Sequence, residues 1–524
     1  MNASRASLQW WAFTTSAKNL LSSPFGIEVL ELIGLQYVAK DCNGSRIGVA
    51  GATRTQARTV CRSNEDSVAR HTGWRSQGAL QGHGMAVLRL AWQALCVCVK
   101  WAIHERSTRI RDQFNTAILT YADSNFRADR DSYFGNFARE LSASNASISV
   151  VHLAYVQISS RMFASSISKA DKNIYASLFS ELHLVDIACA FFQSLAASNR
   201  VDRYRPLPRL NGADFSDMIH AALLEDIAKR GYFKHVLVHR AIRRLVKRRP
   251  GLQVIYPYEN KSLEKMLLLA IREFSSGSRT VGYQHTSVTN RHTTLLFARG
   301  EADRSPLPDR IVTAGAITMN WLEENGNYPP GLIAAGVALR QAFPKIQSGR
   351  FPAEGSRTRL LFALSSSYFE LERVATWIIE IHRASPEWKL AIRTHPEFPA
   401  SLLPVAVQRE LSACAANMSA TPLAENLEWS DIVAYSSSTV ALEALLIGRP
   451  VVHLDLDEFL DTDPTLGAAP NRWLAVSPAG LISVVKNILA QSDEEFLRLQ
   501  RSARSYAESY LHPTSQSRLG AFFS

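Results

Sequence analysis

Apolar and polar positions alternate in a regular way from about residue 112 onward. Ala117–Tyr121 is a short apolar run that ends in turn residues, as a buried strand does, and SISVVHLAYV, LQVIYPYE and RTVGYQHTSV share that look. Between them lie stretches of helical spacing. DSYFGNFARELSAS has Asp131 or Ser132 as its predicted cap. LFSELHLVDIACAFFQSLAAS, a long helical region from Asp214 to Gly251, and KSLEKMLLLAIREFSSG follow. The passage ADRSPLPDRIVTAG, with two prolines ahead of a fresh strand, predicts a crossing point. The alternation then resumes with RLLFALSSS, YFELERVATWIIEIHRAS, WKLAIRTHPEF, DIVAYSSS, TVALEALLIG and PVVHLD, and closes with helices.

Strand and helix taking turns in this way predict an α/β fold with parallel sheets covered by helices. The expected organisation is two Rossmann-type domains facing each other across a cleft. Their boundaries fall at 112–305 and 306–485, with C-terminal helices over 486–524. Residues 1–111 form an extension rich in Gly, Ser, Thr and Arg, mostly irregular, with one amphipathic helix over Met85–Ile103. Arg89, Gln93 and Lys100 interrupt that helix, so no membrane span is expected, and the N-terminus lacks the pattern of a signal peptide.

Composition adds little to this: hydrophobic residues at 46% and charged residues at 20% suit a globular chain. Charge adds more. Of the net +11, roughly +7 falls in the first ~112 residues. A basic, partly amphipathic region suits peripheral contact with an anionic membrane, and solvated surface charge is the plainer meaning. No zinc-finger, RNP-type or Lys/Arg-block motif is present, so no nucleic acid partner is expected. The six cysteines, Cys42, Cys61, Cys96, Cys98, Cys189 and Cys414, have no metal-ligand spacing and read as small buried hydrophobes of a reducing cytoplasm.

Four segments carry candidate chemistry. Ser436, Ser437, Ser438 and Thr439 follow a strand and open a helix, where hydroxyls and free N–H groups hold phosphate, or where a serine simply caps. Glu443 lies on the same helix, as a surface residue or in reach of a sugar hydroxyl. In RTHPEF, Pro396 ends the strand sharply and projects His395 towards the same rim, with Arg393 just before it. There His395 donates to a phosphate or protonates a leaving one, unless it is only a solvated loop residue.

In YPYENKSLEK, Glu259 ends a strand of the first half and is placed to take a proton from an acceptor hydroxyl. Tyr256 and Tyr258 beside it are expected to raise its pKa by burial. The alternative is a helix cap at Glu259 or Asn260, with Lys261 and Glu264 as a solvated first turn. Asp123 and Asp131 are the fallback carboxylates. Gln284, His285 and Arg340 are candidate substrate contacts.

The order E-N (Glu259, Asn260), G-Y-Q-H (Gly282–His285), T-H-P (Thr394–Pro396) and S-S-S-T followed by E-A-L-x-x-G-x-P-V (Ser436–Val451) resembles bacterial surface-carbohydrate biosynthesis proteins. More distantly it resembles the GT-B glycosyltransferases that use CMP-activated acidic sugars, including sialyltransferases and Kdo transferases. The resemblance covers about residues 112–480 and lacks the D-D-G or D-E-G motif of one sialyltransferase group. It implies a GT-B-like fold and transfer of a nonulosonic acid or Kdo from CMP to a lipid-linked or growing surface glycan. It also implies no cofactor and no bound metal, a CMP phosphate held by the H-P and S-S motifs, and a carboxylate base from the first domain. The implied location is the cytoplasm, at the inner face of the bacterial inner membrane. A UDP-sugar transferase or sugar epimerase of the same fold is the alternative. So is a non-catalytic nucleotide-sugar-binding partner in capsule or O-antigen assembly.

Overall fold

A computed structural model describes Ala12 and residues 79–110, 113–123, 126, 130–144, 147–168, 175–201, 216–229, 231–289, 292–341, 357–456 and 462–523. The expected architecture is present: two parallel sheets, each flanked by helices. The first sheet holds β1 (Thr116–Ala122), β2 (Val150–Val156), β3 (Tyr175–Ser177), β4 (Gln253–Pro257), β5 (Arg279–Gln284), β6 (Arg310–Thr313) and β7 (Ile333–Ala335), in the order β3-β2-β1-β4-β5-β6-β7. The second holds β8 (Arg359–Ala363), β9 (Lys389–Arg393), β10 (Ala415–Asn417), β11 (Ile432–Tyr435), β12 (Val451–Leu454) and β13 (Arg472–Ala475), in the order β10-β9-β8-β11-β12-β13. Helices on both faces bury the central strands twice over, which is why β1 and β11 are buried along their whole length, with only Thr116 and Thr120 of β1 polar.

In each sheet the strand order reverses once, at β1/β4 in the first and β8/β11 in the second. Strands are parallel at both points, so their carboxyl ends splay the following loops apart and open a crevice. Asp123 and Glu259 follow β1 and β4. Ser365 and Ser436 follow β8 and β11.

The crossing point lies later than residue 306. β6 pairs with β5 and β7 with β6 in the first sheet, and the second sheet begins only at Arg359. The two prolines mark a loop within the first unit, because RIVT finds its hydrogen-bond partners in β5. The C-terminal helix Asp493–Tyr510 returns to the first unit. Tyr510 Oη accepts from Val288 N at 2.9 Å, and His512 exchanges backbone bonds with Ala314 and Ala338. A Cβ on Gly315 would sit 2.2 Å from the Tyr510 carbonyl oxygen, so only glycine allows this approach.

Other differences are local. The helix after β1 starts at Phe137, not at Asp131 or Ser132, because Asp131 and Gly135 close a turn with Gly135 at φ +56°. The long helical region divides into Ser216–Lys229 and Gly231–Arg248. The amphipathic helix spans Ala79–Lys100 and runs on as Trp101–Glu105 and Arg106–Thr108. Val87–Thr108 is long and apolar enough to cross a membrane by length and composition. Most of the rest of the extension, with Cys42 and Cys61, lies outside the described residues. Cys96, Cys98, Cys189 and Cys414 are free thiols and half-buried rather than buried.

Candidate functional site

The second unit builds its rim from hydroxyls. β11 ends at Tyr435 and delivers Ser436 and Ser438, both buried, with Ser437 and Thr439 half-buried. The helix that follows, Val440–Leu446, is only two turns long, and the Thr439 side chain makes no capping bond. Beside it, β8 ends in a second serine triplet. Ser365 Oγ lies 2.5 Å from Ser437 Oγ and also bonds the buried Glu370 carboxylate. Glu370 accepts from Ser365 N at 2.9 Å, while Ser367 caps the helix Tyr368–Ala384 by accepting from Glu370 N. Hydroxyls from the two strands flanking the switch point are thus tied into one chain ending on a buried carboxylate. The Ser365–Ser367 triplet repeats the pattern at 436–438 in the sequence, but only its neighbourhood with β11 brings it to the site.

β9 adds the third part of this rim. Thr394 is buried and pinned by Ser419, through N to Oγ at 2.9 Å and Oγ1 to Oγ at 3.0 Å. His395 follows, half-exposed, then the exposed Pro396. Its Nδ1 accepts from Glu397 N at 3.3 Å. Arg393 is spent on structure: its Nη1 donates to Thr421 O and Asn426 Oδ1, each at 2.7 Å. Burial lowers its pKa, against the pull of Glu443. Glu443 is half-buried, and burial raises its pKa while Arg340 and Arg393 oppose.

The first unit builds its rim from charges and rings. Glu259 pairs with Lys261 and lies 4.0 Å from His285 Nε2. Burial alone would raise the Glu259 carboxyl, as the flanking tyrosines suggested. The Lys261 ammonium and then His285 more than offset it, and the net shift is downward. Tyr256 and Tyr258 turn into the core and do not line the rim. His285 is buried, and that burial pushes it down to about 4, with Arg340 pushing the same way and Glu259 opposing. Tyr133, missed in the sequence, packs edge-on to His285 with ring centroids 4.9 Å apart. Burial, then the Glu259 and Asp123 carboxylates, push its hydroxyl up to about 12, while Arg340 pulls it down. Nothing in the local pattern of FRADRDSYFG separates Tyr133 from an ordinary loop aromatic.

Arg340 joins the two rims. It acts electrostatically on Tyr133 and His285 from one unit and on Glu443 from the other. Asp131 and Gln284 stand apart from this group. The Asp131 carboxylate is buried, accepts from Tyr133 N and Phe134 N, and lies 3.3 Å from His152, so it holds the loop that carries Tyr133. Gln284 is buried and donates to Thr286 O at 2.8 Å.

Of the expected solvated first turn, Lys261 is exposed but Glu264 is buried, as is its neighbour Lys265. Asn260 takes φ +57°, which folds Glu259 N and Asn260 N onto the Glu264 carboxyl at 3.0 and 2.8 Å. Burial, then the Glu259 charge, raise Glu264 from 4.5 to about 8. Between those two values the folded chain keeps a proton that the unfolded chain has lost. Stability therefore falls as pH rises through that window. Glu264→Gln is expected to flatten this fall, read from urea midpoints between about pH 5 and pH 8. An unchanged slope would place the titration on another group.

Fold and site define a protein of two Rossmann-type units, with a hydroxyl-lined rim on one and a carboxylate-bearing rim on the other. No family model matches this chain, and no curated protein matches it. Among solved structures it is similar to the UDP-GlcNAc 2-epimerase from Neisseria meningitidis bound to UDP-GlcNAc, at 12% identity and TM-score 0.44, over 75% of this chain and 97% of that one. It is similar to MurG of Acinetobacter baumannii, at 10% identity and TM-score 0.44, over 78% and 98%. It is also similar to the glycotransferase of kitacinnamycin, at 13% identity and TM-score 0.42, over 76% and 97%.

Proposed function

We propose that this protein is a metal-independent glycosyltransferase of the GT-B type that moves an acidic sugar, a nonulosonic acid or Kdo, from a CMP donor to a surface-glycan acceptor. The observation that carries the reading is the pairing of two switch-point crevices. One is lined by the linked hydroxyls of Ser365 and Ser437, and the other by Glu259. Hydroxyls and backbone N–H groups suit a phosphate, and a carboxylate across from it suits an acceptor hydroxyl. Arg340 supports an anionic sugar: among the described residues its guanidinium makes no hydrogen bond or ion pair, and it stands between the rims.

In this reaction an acceptor oxygen attacks the anomeric carbon and gives its proton to Glu259. The bond from that carbon to the CMP phosphate breaks, and the departing charge is met by the serine hydroxyls and His395. Glu443 and Arg393 support this rim from behind. Asp123 is the second carboxylate within reach of Tyr133.

A thermal-shift panel of CMP, CDP, UMP, UDP and GDP tests the donor. A nucleotide at a hundred times its dissociation constant stabilises by about 2.7 kcal/mol. CMP is expected to give the largest shift. A shift with UDP alone selects the UDP-sugar transferase or epimerase, and no shift with any nucleotide overturns the reading. Ser437→Ala with Ser438→Ala is expected to weaken CMP binding at least tenfold, read by calorimetry. The lost Ser365–Ser437 bond should cost only about 1 kcal/mol of stability. Unchanged CMP affinity would remove the serines from the phosphate site.

A further inference from the structure

On the helix Ala79–Lys100 and its continuation, Leu88, Trp92, Leu95, Val99 and Ile103 are all exposed, Trp92 to 63%. Their steps of four, three, four and four residues put them on one stripe. The opposite stripe, with Leu90, Gln93 and Trp101, is buried against the first unit. The helix packs along Leu184–Ser198 and Ser216–Lys229. Leu184–Ser198 adds Leu184, Val185 and Phe192 to the exposed apolar surface, Phe192 at 64%.

Charge is sorted just as sharply. Arg89, Lys100 and Arg106 are exposed, as is Arg161 on the helix Ser160–Ser168, next to the exposed Met162. Among the described residues of these elements the acids are buried apart from Glu225, which is exposed on Ser216–Lys229. Glu181 pairs with Arg248 and Arg109, Asp186 pairs with Arg244 and Arg240, and Glu105 is buried as well. Among the described residues the surface is therefore apolar and cation-rimmed, with Arg89, Lys100, Arg106 and Arg161 set against the single exposed carboxylate of Glu225.

We infer that this two-helix face binds the surface of an anionic lipid bilayer, lying in the interface with its apolar stripe in the acyl boundary and its cations at the headgroups. The inference stands apart from the nucleotide reading. Charge complementarity selects the occupant. A second copy would bring the same arginines and lysine face to face, with only Glu225 exposed among the described acids of these elements to answer them. The buried stripe holds the helix flat against the first unit, which favours lying in the interface over crossing the bilayer.

The test is co-sedimentation of the full chain with vesicles of phosphatidylcholine containing about 30% phosphatidylglycerol, and with phosphatidylcholine alone. Binding to the anionic vesicles is expected, weakening with salt. Trp92→Glu with Phe192→Glu is expected to lower the bound fraction at least tenfold. Arg89→Gln with Lys100→Gln should reduce binding and its salt dependence together. Both pairs are on the surface, and unchanged melting temperatures would show that they fold. Failure of the wild-type chain to sediment with anionic vesicles overturns the inference. So does wild-type binding by the Trp92/Phe192 variant, or a solution dimer that this variant dissociates without any vesicle binding.

Discussion

His395→Ala is expected to lower turnover by a factor of about 10² to 10⁴, the range for a residue that donates to a leaving group, or about 2.7 to 5.4 kcal/mol of barrier. The geometry says which nitrogen acts. Glu397 N donates to Nδ1, so Nδ1 is the acceptor and the proton of the neutral ring sits on Nε2. Thr394 is fixed by Ser419, and Phe398 N holds the His395 carbonyl at 3.0 Å, so the backbone is set on both sides of the ring. β9 lies next to β8, which places His395 one strand from Ser365 and two from Ser436. From that edge Nε2–H is expected to donate to a phosphate oxygen at the hydroxyl rim. His395→Gln separates two roles. Gln donates a hydrogen bond but no proton, so substantial recovery with Gln identifies a phosphate donor. A variant as slow as the Ala form identifies an acid. Near wild-type turnover in His395→Ala would leave the H-P pair as a strand end only.

Much of this site was legible because strand ends announce themselves. YPYEN, RTHP and VAYSSST each run from an apolar stretch into polar residues, and the parallel sheet sends all three to carboxyl edges. What local pattern does not hold is which strands become neighbours. Ser365–Ser367 carries the same three serines as Ser436–Ser438, yet joins the site only because β8 pairs with β11. RIVT after two prolines has the look of a new domain, and its pairing with β5 assigns it to the first sheet. Tyr175–Ser177, Ile333–Ala335 and Ala415–Asn417 are three residues each, too short for a period to show. The Glu259 charge state was missed for a related reason. Burial beside tyrosines was readable, but the closeness of Lys261 follows from the left-handed turn at Asn260, and that of His285 from the β4–β5 pairing.

Glu259→Gln is expected to leave donor binding intact while transfer falls by orders of magnitude. The acceptor hydroxyl must lose a proton as its oxygen attacks, and Gln keeps the shape of the side chain but cannot take it. Lys261 and His285 hold the Glu259 carboxyl below its ordinary value of 4.5 despite burial, so it is ionised throughout the neutral range. Two consequences follow. The acid limb of the kcat/KM profile should lie below about pH 4.5, since the base form persists until the folded pKa is passed. Lys261→Met should move that limb upward, because removing the ammonium leaves only the weaker pulls of His285 and His292 against burial. A merely structural Glu259 would move neither limb. Asp123 is the competitor, since it acts on Tyr133 from the same crevice. Asp131 is the weaker one, because its carboxylate already holds two loop N–H groups. Normal transfer by Glu259→Gln, with loss in Asp123→Asn or Asp131→Asn, would move the base to the loop after β1. It would leave Glu259 as the anion that anchors Lys261.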